Sequence, residues 1–468
     1  MTFEKLNVPG LSDDELFALN SNAEALREKS RRNLLRSSYY DGRRAVQQIG
    51  TVIPPQYANL GLALGWAAKG VDGLARRCNL EGFTWADGDL KSLGMKELTT
   101  SNFLMSELSQ ARSDCLLHGV SYLVTTRGDE SEGEPPVLIH AKDALNAYGS
   151  WNTRKRALDS LLSVTAWDDG KIAGFVLYLD GVTISAEKAN GSWTVERSEH
   201  PWGVPADVLV YKPRASRRMG KSRITRAAMS HQDAALRTLV RLEAHMDVYT
   251  IPKMIMLGAD ESIFKNADGS PKVSWQLALG RVFGIPDADD ADNPRADVKQ
   301  FDGQSPEPHL ADLNAMAKLM ARETDLPDSD FALTDMANPT SSDSYSASRE
   351  NLIAEAESAT DDWDVPISRT IRRGLAMQNG LAEAPPEWGS IDPKWRSPIY
   401  LSRAAAADAG AKQLSVVPWL AETEVGLELL GLSEQQIRNA LAEKRRAAGR
   451  AVIAALGPPP GDVPAAGA

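Results

Sequence analysis

The chain has 468 residues, 43% hydrophobic, 25% charged and 6% aromatic, which places it among ordinary globular proteins and excludes the disordered and collagen-like classes. That length exceeds what one compact core holds, so roughly two to four structural units are expected. A formal net charge of -11 excludes a surface that grips nucleic acid along its whole extent, because such binding draws its affinity from neutralised phosphates.

The first residues carry Glu4 and Lys5 and no apolar core, so no secretion signal is expected. Over 12–36, Leu16, Leu19, Ala23 and Leu26 recur at steps of three and four, which predicts an amphipathic helix. A second helix is expected over 56–77 and a third over 101–117, the latter closed by His118-Gly119, where glycine suits a left-handed cap. The apolar run 57–68 ends at Lys69 and is shorter than the roughly 20 residues that span a bilayer, so no membrane partner is expected. Cys78 and Cys115 are the only cysteines, which fits a reducing cytoplasm and two buried small hydrophobes.

From 120 to 211 the rhythm changes to short runs of valine, tyrosine, isoleucine and threonine between glycine and aspartate turns. One such unit runs 173–179, then Asp180-Gly181, then 182–185, and reads as an antiparallel hairpin. The first 210 residues thus predict an α+β unit, helices first and a sheet after. Helix returns at Ser222 and runs to about Asp247, with Ile224, Ala228, His231, Ala235, Leu239, Leu242 and Met246 on one stripe. Such a helix is on the order of 38 Å long, the length of a strut. His231 has no second ligand at metal spacing and reads as a packed or interface histidine.

Pro252 ends that region. Short strands and turns follow to Pro308, including Lys253 to Leu257 and the turn Asp268-Gly269-Ser270-Pro271. The acidic run Asp287, Asp289, Asp290 and Asp292 reads as a solvated loop or a partner-binding surface. A second strut starts at Pro308 and carries Leu310, Leu313, Met316, Ala317 and Met320 before Pro327. After a polar loop, a long helix is expected, capped by Ser341 or Ser342 with Asp343 in its first turn and Tyr345, Leu352, Ala356, Ala359 and Trp363 on its apolar face. Pro366 should kink or end it, with a continuation to Met377 closed by Asn379-Gly380. Helical pattern resumes at Ala404 and at Ser433, where Gln436 completes a capping box ahead of Ile437 and Leu441. The tail from 457 is rich in Pro, Gly and Ala and is expected to be disordered.

This order of parts resembles the bacteriophage portal protein family over nearly the whole chain. The cues are Tyr39-Tyr40-Asp41-Gly42 after the first helix, Asp72-Gly73-Leu74 to Gly82-Phe83, the step from Leu116 to Tyr122, and residues 338–350 with Tyr345, Arg349 and Glu350. The more specific cue is strut, insertion, strut, polar loop and long helix between Ser222 and Gly380. The resemblance implies an α+β portal-like fold: N-terminal wing 1–221, stem helix 222–249, small α/β clip 250–307, stem helix 308–326, tunnel loop 327–341, kinked tunnel helix and C-terminal wing 342–402, and a short helical crown with flexible tail 403–468. It implies a homo-oligomeric ring, a dodecamer, at one capsid vertex of the virion, assembled in the bacterial host cytoplasm. Its implied partners are the terminase large subunit, the major capsid protein, a head-to-tail adaptor and double-stranded DNA in the channel. Asp335, Asn338, Thr340, Ser341 and Ser342 would face that DNA. Arg237, Arg241, Lys318 and Arg322 would line the stem or make ring contacts. Lys265, Asp268, Asp287, Asp289 and Asp290 would present the clip to terminase or adaptor. No catalytic residue, cofactor or metal is implied.

A rival reading rests on residues 215–222, Ala215-Ser216-Arg217-Arg218-Met219-Gly220-Lys221-Ser222, a relaxed phosphate loop between a predicted strand and a helix. It would make the chain a nucleotide-binding ATPase, with Asp260-Glu261 as a candidate metal-binding strand end. Against it stand Pro213, the single glycine ahead of the lysine, and the absence of an alternating strand and helix series. No zinc spacing, nucleophile elbow or singled-out acid and base pair occurs elsewhere.

Overall fold

The computed structural model describes residues 5–43, 61–249, 253–257, 265–266, 268–270, 297–301, 303–331, 349–400 and 403–455. Contacts divide the chain into two compact units, residues 1–398 and 399–468. The first is α+β, as the sequence predicts.

Helix α1 (Asp13–Tyr40) starts on a reciprocal cap. The Glu15 amide donates to Ser12 Oγ at 3.4 Å and the Ser12 amide to Glu15 Oε2 at 2.8 Å. The predicted stripe is the buried one: Leu19, Ala23 and Leu26 lie against Leu162, Phe175, Leu177 and Ile184 of the sheet described below. Helix α2 (Trp66–Ala75) is shorter than the predicted 56–77. Gly61 has φ +65 and Gly65 caps the helix, so 61–65 stay non-helical, while 56–60 lie outside the described residues. Strand β1 (Leu80–Trp85) follows.

The third helix, predicted over 101–117, is α4 (Leu104–His118), and a short helix that the pattern did not predict, α3 (Met95–Ser101), precedes it. The break belongs to Asn102, whose side chain donates to the Leu98 carbonyl at 3.1 Å and accepts from the Ile139 amide at 2.7 Å. A buried amide so occupied ends one helix and fastens the next strand, and Phe103 turns into the left-handed region at φ 47.

Eight strands follow: β2 (Val120–Arg127), β3 (Val137–Lys142), β4 (Ala147–Asn152), β5 (Ala157–Asp168), β6 (Lys171–Leu179), β7 (Val182–Ala189), β8 (Ser192–Glu199) and β9 (Ala206–Val210). Strands β4 to β8 form an antiparallel meander in sequence order, whereas β3, β2 and β9 form a separate antiparallel sheet with β2 central. Residues Asp180-Gly181 are the two-residue loop of a hairpin that pairs Leu179 with Val182, as expected. Strand β5 is buried from Ser160 to Val164, with Leu162 and Val164 in the core under α1 and Leu158 and Leu161 in a core with Tyr122 and Val208.

Helix α5 (Arg226–Tyr249) starts four residues later than predicted because Ser222 and Arg223 are engaged elsewhere. Thr225 opens it, its hydroxyl accepting from the Ala228 amide at 3.1 Å. Strands β10 (Lys253–Leu257) and β11 (Asp297–Phe301) pair antiparallel, so the insertion leaves and returns side by side. Helix α6 (Glu307–Thr324) ends at Asp325 in the left-handed region, ahead of Pro327. Helix α7 (Glu350–Gln378) runs through Pro366 without ending, flanked by the fully buried Trp363 and Ile367. Strand β12 (Ile391–Trp395) pairs with β1 from the far end of the unit. The calls on Ser341, Ser342, Asp343, Tyr345, Asp260, Glu261, the acidic run 287–292 and the tail lie outside the described residues.

The main core joins α2, α4, α5, α6 and α7 around Leu74, Leu116, Ala235, Met320 and Trp363. Both cysteines are buried in it as expected, and burial pushes the Cys78 thiol up to about 12. The Trp363 indole donates to the Val210 carbonyl at 2.9 Å, so burying it leaves no donor unpaired. In the second unit, α8 (Arg403–Val416), α9 (Glu424–Leu429) and α10 (Glu434–Ala455) surround little. The Ser433 capping box is present, with the Ser433 amide donating to Gln436 Oε1 at 2.9 Å.

Asp114 on α4 gives a pH test. Burial, then the Asp143 carboxylate, pushes its carboxyl up from 3.8 to about 6. The folded state therefore holds a proton that the unfolded chain releases, and stability falls as pH rises from about 4 to about 6. Asp114→Asn should gain on the parent by on the order of 2 kcal/mol across that window in urea unfolding. A pH-independent difference would contradict the assignment.

Candidate functional site

The two predicted struts are an antiparallel pair. Three contacts set their register: the Thr225 hydroxyl donates to Glu323 Oε1 at 2.5 Å, the Thr238 hydroxyl donates to Asp312 Oδ2 at 2.6 Å, and the His245 and His309 rings meet edge to face at 5.1 Å. Between Thr225 and His245 the helix climbs about 30 Å. Alanines at 228, 235, 317 and 321 are all buried and permit close approach of the backbones.

The lower half of α5 is bound into the core and the upper half is not. Gln232 Oε1 accepts from the Ala67 amide at 2.8 Å, and the Tyr39 hydroxyl donates to Asp233 Oδ2 at 2.7 Å. The buried residues are Ile224, Ala228, Gln232, Ala235, Leu236, Thr238 and Val240. Of the predicted stripe, Ile224, Ala228 and Ala235 are buried, His231, Leu239 and Leu242 are half-buried and Met246 is 43% exposed. Beyond Val240 the helix has α6 beside it and no core beneath it. His231 is half-buried, and no group of side chains able to hold a metal occurs among the described residues.

At the base sits Arg223, which the sequence reading did not single out. Its buried guanidinium donates Nε to the Gly70 carbonyl at 2.5 Å, Nη1 to the Tyr211 hydroxyl at 2.9 Å, and Nη2 to the Thr324 carbonyl. Tyr211 in turn donates to Glu355 Oε1, and Lys212 Nζ lies 2.7 Å from Glu355 Oε2. Burial, opposed by Arg223 and reinforced by Glu355, holds the Tyr211 phenol well above its usual range, so it remains a donor. One cation thus links α2, the end of β9, the start of α5, the end of α6 and the first turns of α7.

Of the predicted stem residues, Arg241, Lys318 and Arg322 are exposed and Arg237 is half-buried. None of the four has an ion-pair partner among the described residues. The structure does not gather them: Arg322 adjoins the lowest rung at Glu323, Arg237 adjoins the middle rung at Thr238, and Lys318 and Arg241 each lie one turn away. Lys265 and Asp268 are exposed. Asp268 Oδ1 accepts from Ser270 N at 3.0 Å and Ser270 Oγ at 2.6 Å, which holds its carboxyl below the usual range and forms the predicted turn. Asp287, Asp289, Asp290, Asp335, Asn338, Thr340, Ser341 and Ser342 lie outside the described residues.

The loop 215–222 does not form a phosphate cradle. The Arg214 and Arg217 amides bond to each other's carbonyls at 3.1 and 2.8 Å, and the Lys221 amide donates to Tyr211 O at 2.7 Å. The Ser222 hydroxyl is buried and donates to the Leu117 carbonyl at 2.6 Å, out of reach of a metal-bound nucleotide. Gly220 has φ +63, and a Cβ there would meet the Gly119 carbonyl oxygen at 2.2 Å, so the glycine serves close backbone packing. Strand β9 pairs antiparallel with β2, unlike the parallel strand a phosphate loop follows.

Residues 22–450 match the family described as phage portal protein, SPP1 Gp6-like. The chain is 25% identical over 417 residues to the portal protein of Mycobacterium phage D29, covering 87% of this chain and 83% of that one. It is 24% identical over 425 residues to the portal protein of Mycobacterium phage L5, with the same coverage. Among solved structures it is similar to a chain in the neck of the native GTA particle computed with C12 symmetry, at TM-score 0.42 and 16% identity, covering 87% of this chain and 99% of that one.

Replacing Arg223 tests the base network. Arg223→Met should cost about 3–5 kcal/mol in equilibrium unfolding, because Glu355 is left with a weaker counter-charge and two buried carbonyls lose their donor. A loss under about 1 kcal/mol would show that the network does not fix the base.

Proposed function

Because the chain belongs to the SPP1 Gp6-like phage portal protein family, we propose that it forms the ring at one capsid vertex through which terminase packages DNA and through which DNA later leaves. The match over residues 22–450 carries this reading. The family is structural rather than enzymatic. In the proposed particle the ring belongs to the virion, is assembled in the host cytoplasm, and contacts the terminase large subunit, the major capsid protein and a head-to-tail adaptor. Among the described residues no helix is long and apolar enough to cross a membrane.

In this reading α5 and α6 are the stem helices, the residues between them the clip, 1–221 the wing, 327–341 the tunnel loop, 342–402 the tunnel helix with the C-terminal wing, and 403–468 the crown. Helix α5 carries Arg226, Arg237 and Arg241 against Asp233, Glu243 and Asp247, and α6 carries Lys318 and Arg322 against Glu307, Asp312 and Glu323. Stem helices so balanced give phosphates brief contacts and no continuous basic track, which suits DNA that must slide. Tunnel-loop residues Asp335, Asn338, Thr340, Ser341 and Ser342 are assigned to the lumen by the resemblance alone.

A cyclic ring needs two different complementary faces on each subunit. The second unit offers apolar surface for one of them: Trp419 is 70% and Val416 80% exposed, and Ile437 is its only buried hydrophobic side chain among the described residues. Native mass spectrometry of the purified full chain should show a closed ring of about twelve copies. A monomer at every concentration, and no ring in capsid-bearing particles, would contradict the proposal.

A further inference from the structure

A recess of about 210 Å³ opens between α1, the start of β2 and the loop 212–225. Its lining includes Lys29, Arg32, Arg36, His118 and Arg217, and no Asp or Glu. Arg36 and His118 are only 8% and 5% exposed. Each also keeps a buried nitrogen without a partner among the described residues, Arg36 Nε and His118 Nδ1. The remaining Arg36 contacts run from Nη1 to the His118 carbonyl at 2.9 Å and to Asn33 Oδ1 at 3.3 Å, and neither acceptor carries charge.

We propose that this recess binds a small free oxyanion of the phosphate class. Burial, then the neighbouring Arg32 and Arg217, pulls the Arg36 guanidinium down to about 10, so three cations share one place and Arg36 is still charged at neutral pH. A tetrahedral anion would relieve that repulsion and accept several charge-assisted hydrogen bonds. Lys29 donates to the Tyr148 hydroxyl at 3.0 Å beside the same recess and adds to the positive potential. The one carboxylate that acts on His118, Asp143, is held by the Leu145 and Asn146 amides at 2.7 and 2.8 Å and is not part of the lining. Compactness of the ligand follows from the burial of Arg36 and His118: a free phosphate fits such a recess, whereas a duplex backbone carries a sugar on either side of each phosphate. The basic loop therefore meets its anion with the Arg217 side chain, not with the backbone amides of a nucleotide cradle. Nothing in this inference depends on ring formation.

The test titrates inorganic phosphate into the purified full chain and follows the unfolding midpoint, with sodium chloride at matched ionic strength as reference. Phosphate should raise the midpoint above the chloride curve, and calorimetry should give one site per subunit. Arg32→Ala and Arg217→Ala remove side chains that bond to no described residue, so both variants should fold; each should need roughly tenfold more phosphate for the same rise. Chloride matching phosphate, or variants that keep the parental dependence, would overturn the site. So would a duplex DNA fragment that protects through Arg32 and Arg217 where phosphate does not.

Discussion

The buried Arg223 guanidinium constrains this molecule more than any other single group. Removing a cation from water costs several kcal/mol, recovered only if every donor finds an acceptor in good geometry. Here the acceptors come from three separate places in the chain, Gly70 on α2, Tyr211 after β9 and Thr324 at the end of α6, and Glu355 on α7 adds a counter-charge at 4.0 Å. Satisfying the charge therefore fixes where the α5 and α6 pair leaves the core. Gly119 and Gly220 complete the joint, because the Tyr211 amide donates to the Gly119 carbonyl at 3.1 Å while Gly220 packs against that same carbonyl.

Outward from this joint the hold on the helices weakens in steps. Near it α5 is bonded to α1, α2 and the core; at Thr238 it has one hydrogen bond to α6; at His245 it has a ring contact with His309 and a bond to the Gln304 carbonyl. The pair is thus bonded to the core at its root and exposed along its outer half, which in the proposed ring would leave its outer side chains free to face a channel. The balanced charges of the two helices set what a polyanion would meet there.

Much of this was legible in the sequence. Periodicity located α1, α5, α6 and the apolar face of α7, because each turns apolar residues at steps of three and four toward the core. Gly119 announced the end of α4, and the alternation after it announced antiparallel strands. What failed has a common cause, polar groups buried for long-range reasons. The α5 stripe predicts burial at His231, Leu239 and Leu242, whereas Gln232 and Thr238 take the buried places because Ala67 and Asp312 bond to them. Asn102 separates the unpredicted α3 from α4 because it serves Ile139. The pairing of β1 with β12 joins Leu80 to Trp395, a separation that no local pattern encodes. Arg223 and Arg36 carry no local signal, whereas Ser12 with Glu15 is a local capping-box signal for the start of α1.

In the proposed ring the α5 and α6 pair, fixed at Arg223, faces the axis. A cryo-electron-microscopy reconstruction of the purified ring bears on it most directly. The account predicts the Thr238 to Asp312 rung within the wall of the axial channel, with Arg241 and Lys318 on the pair that lines it and the second unit in contact with a neighbouring subunit. A reconstruction with that pair at the outer circumference, and other elements around the axis, would contradict it.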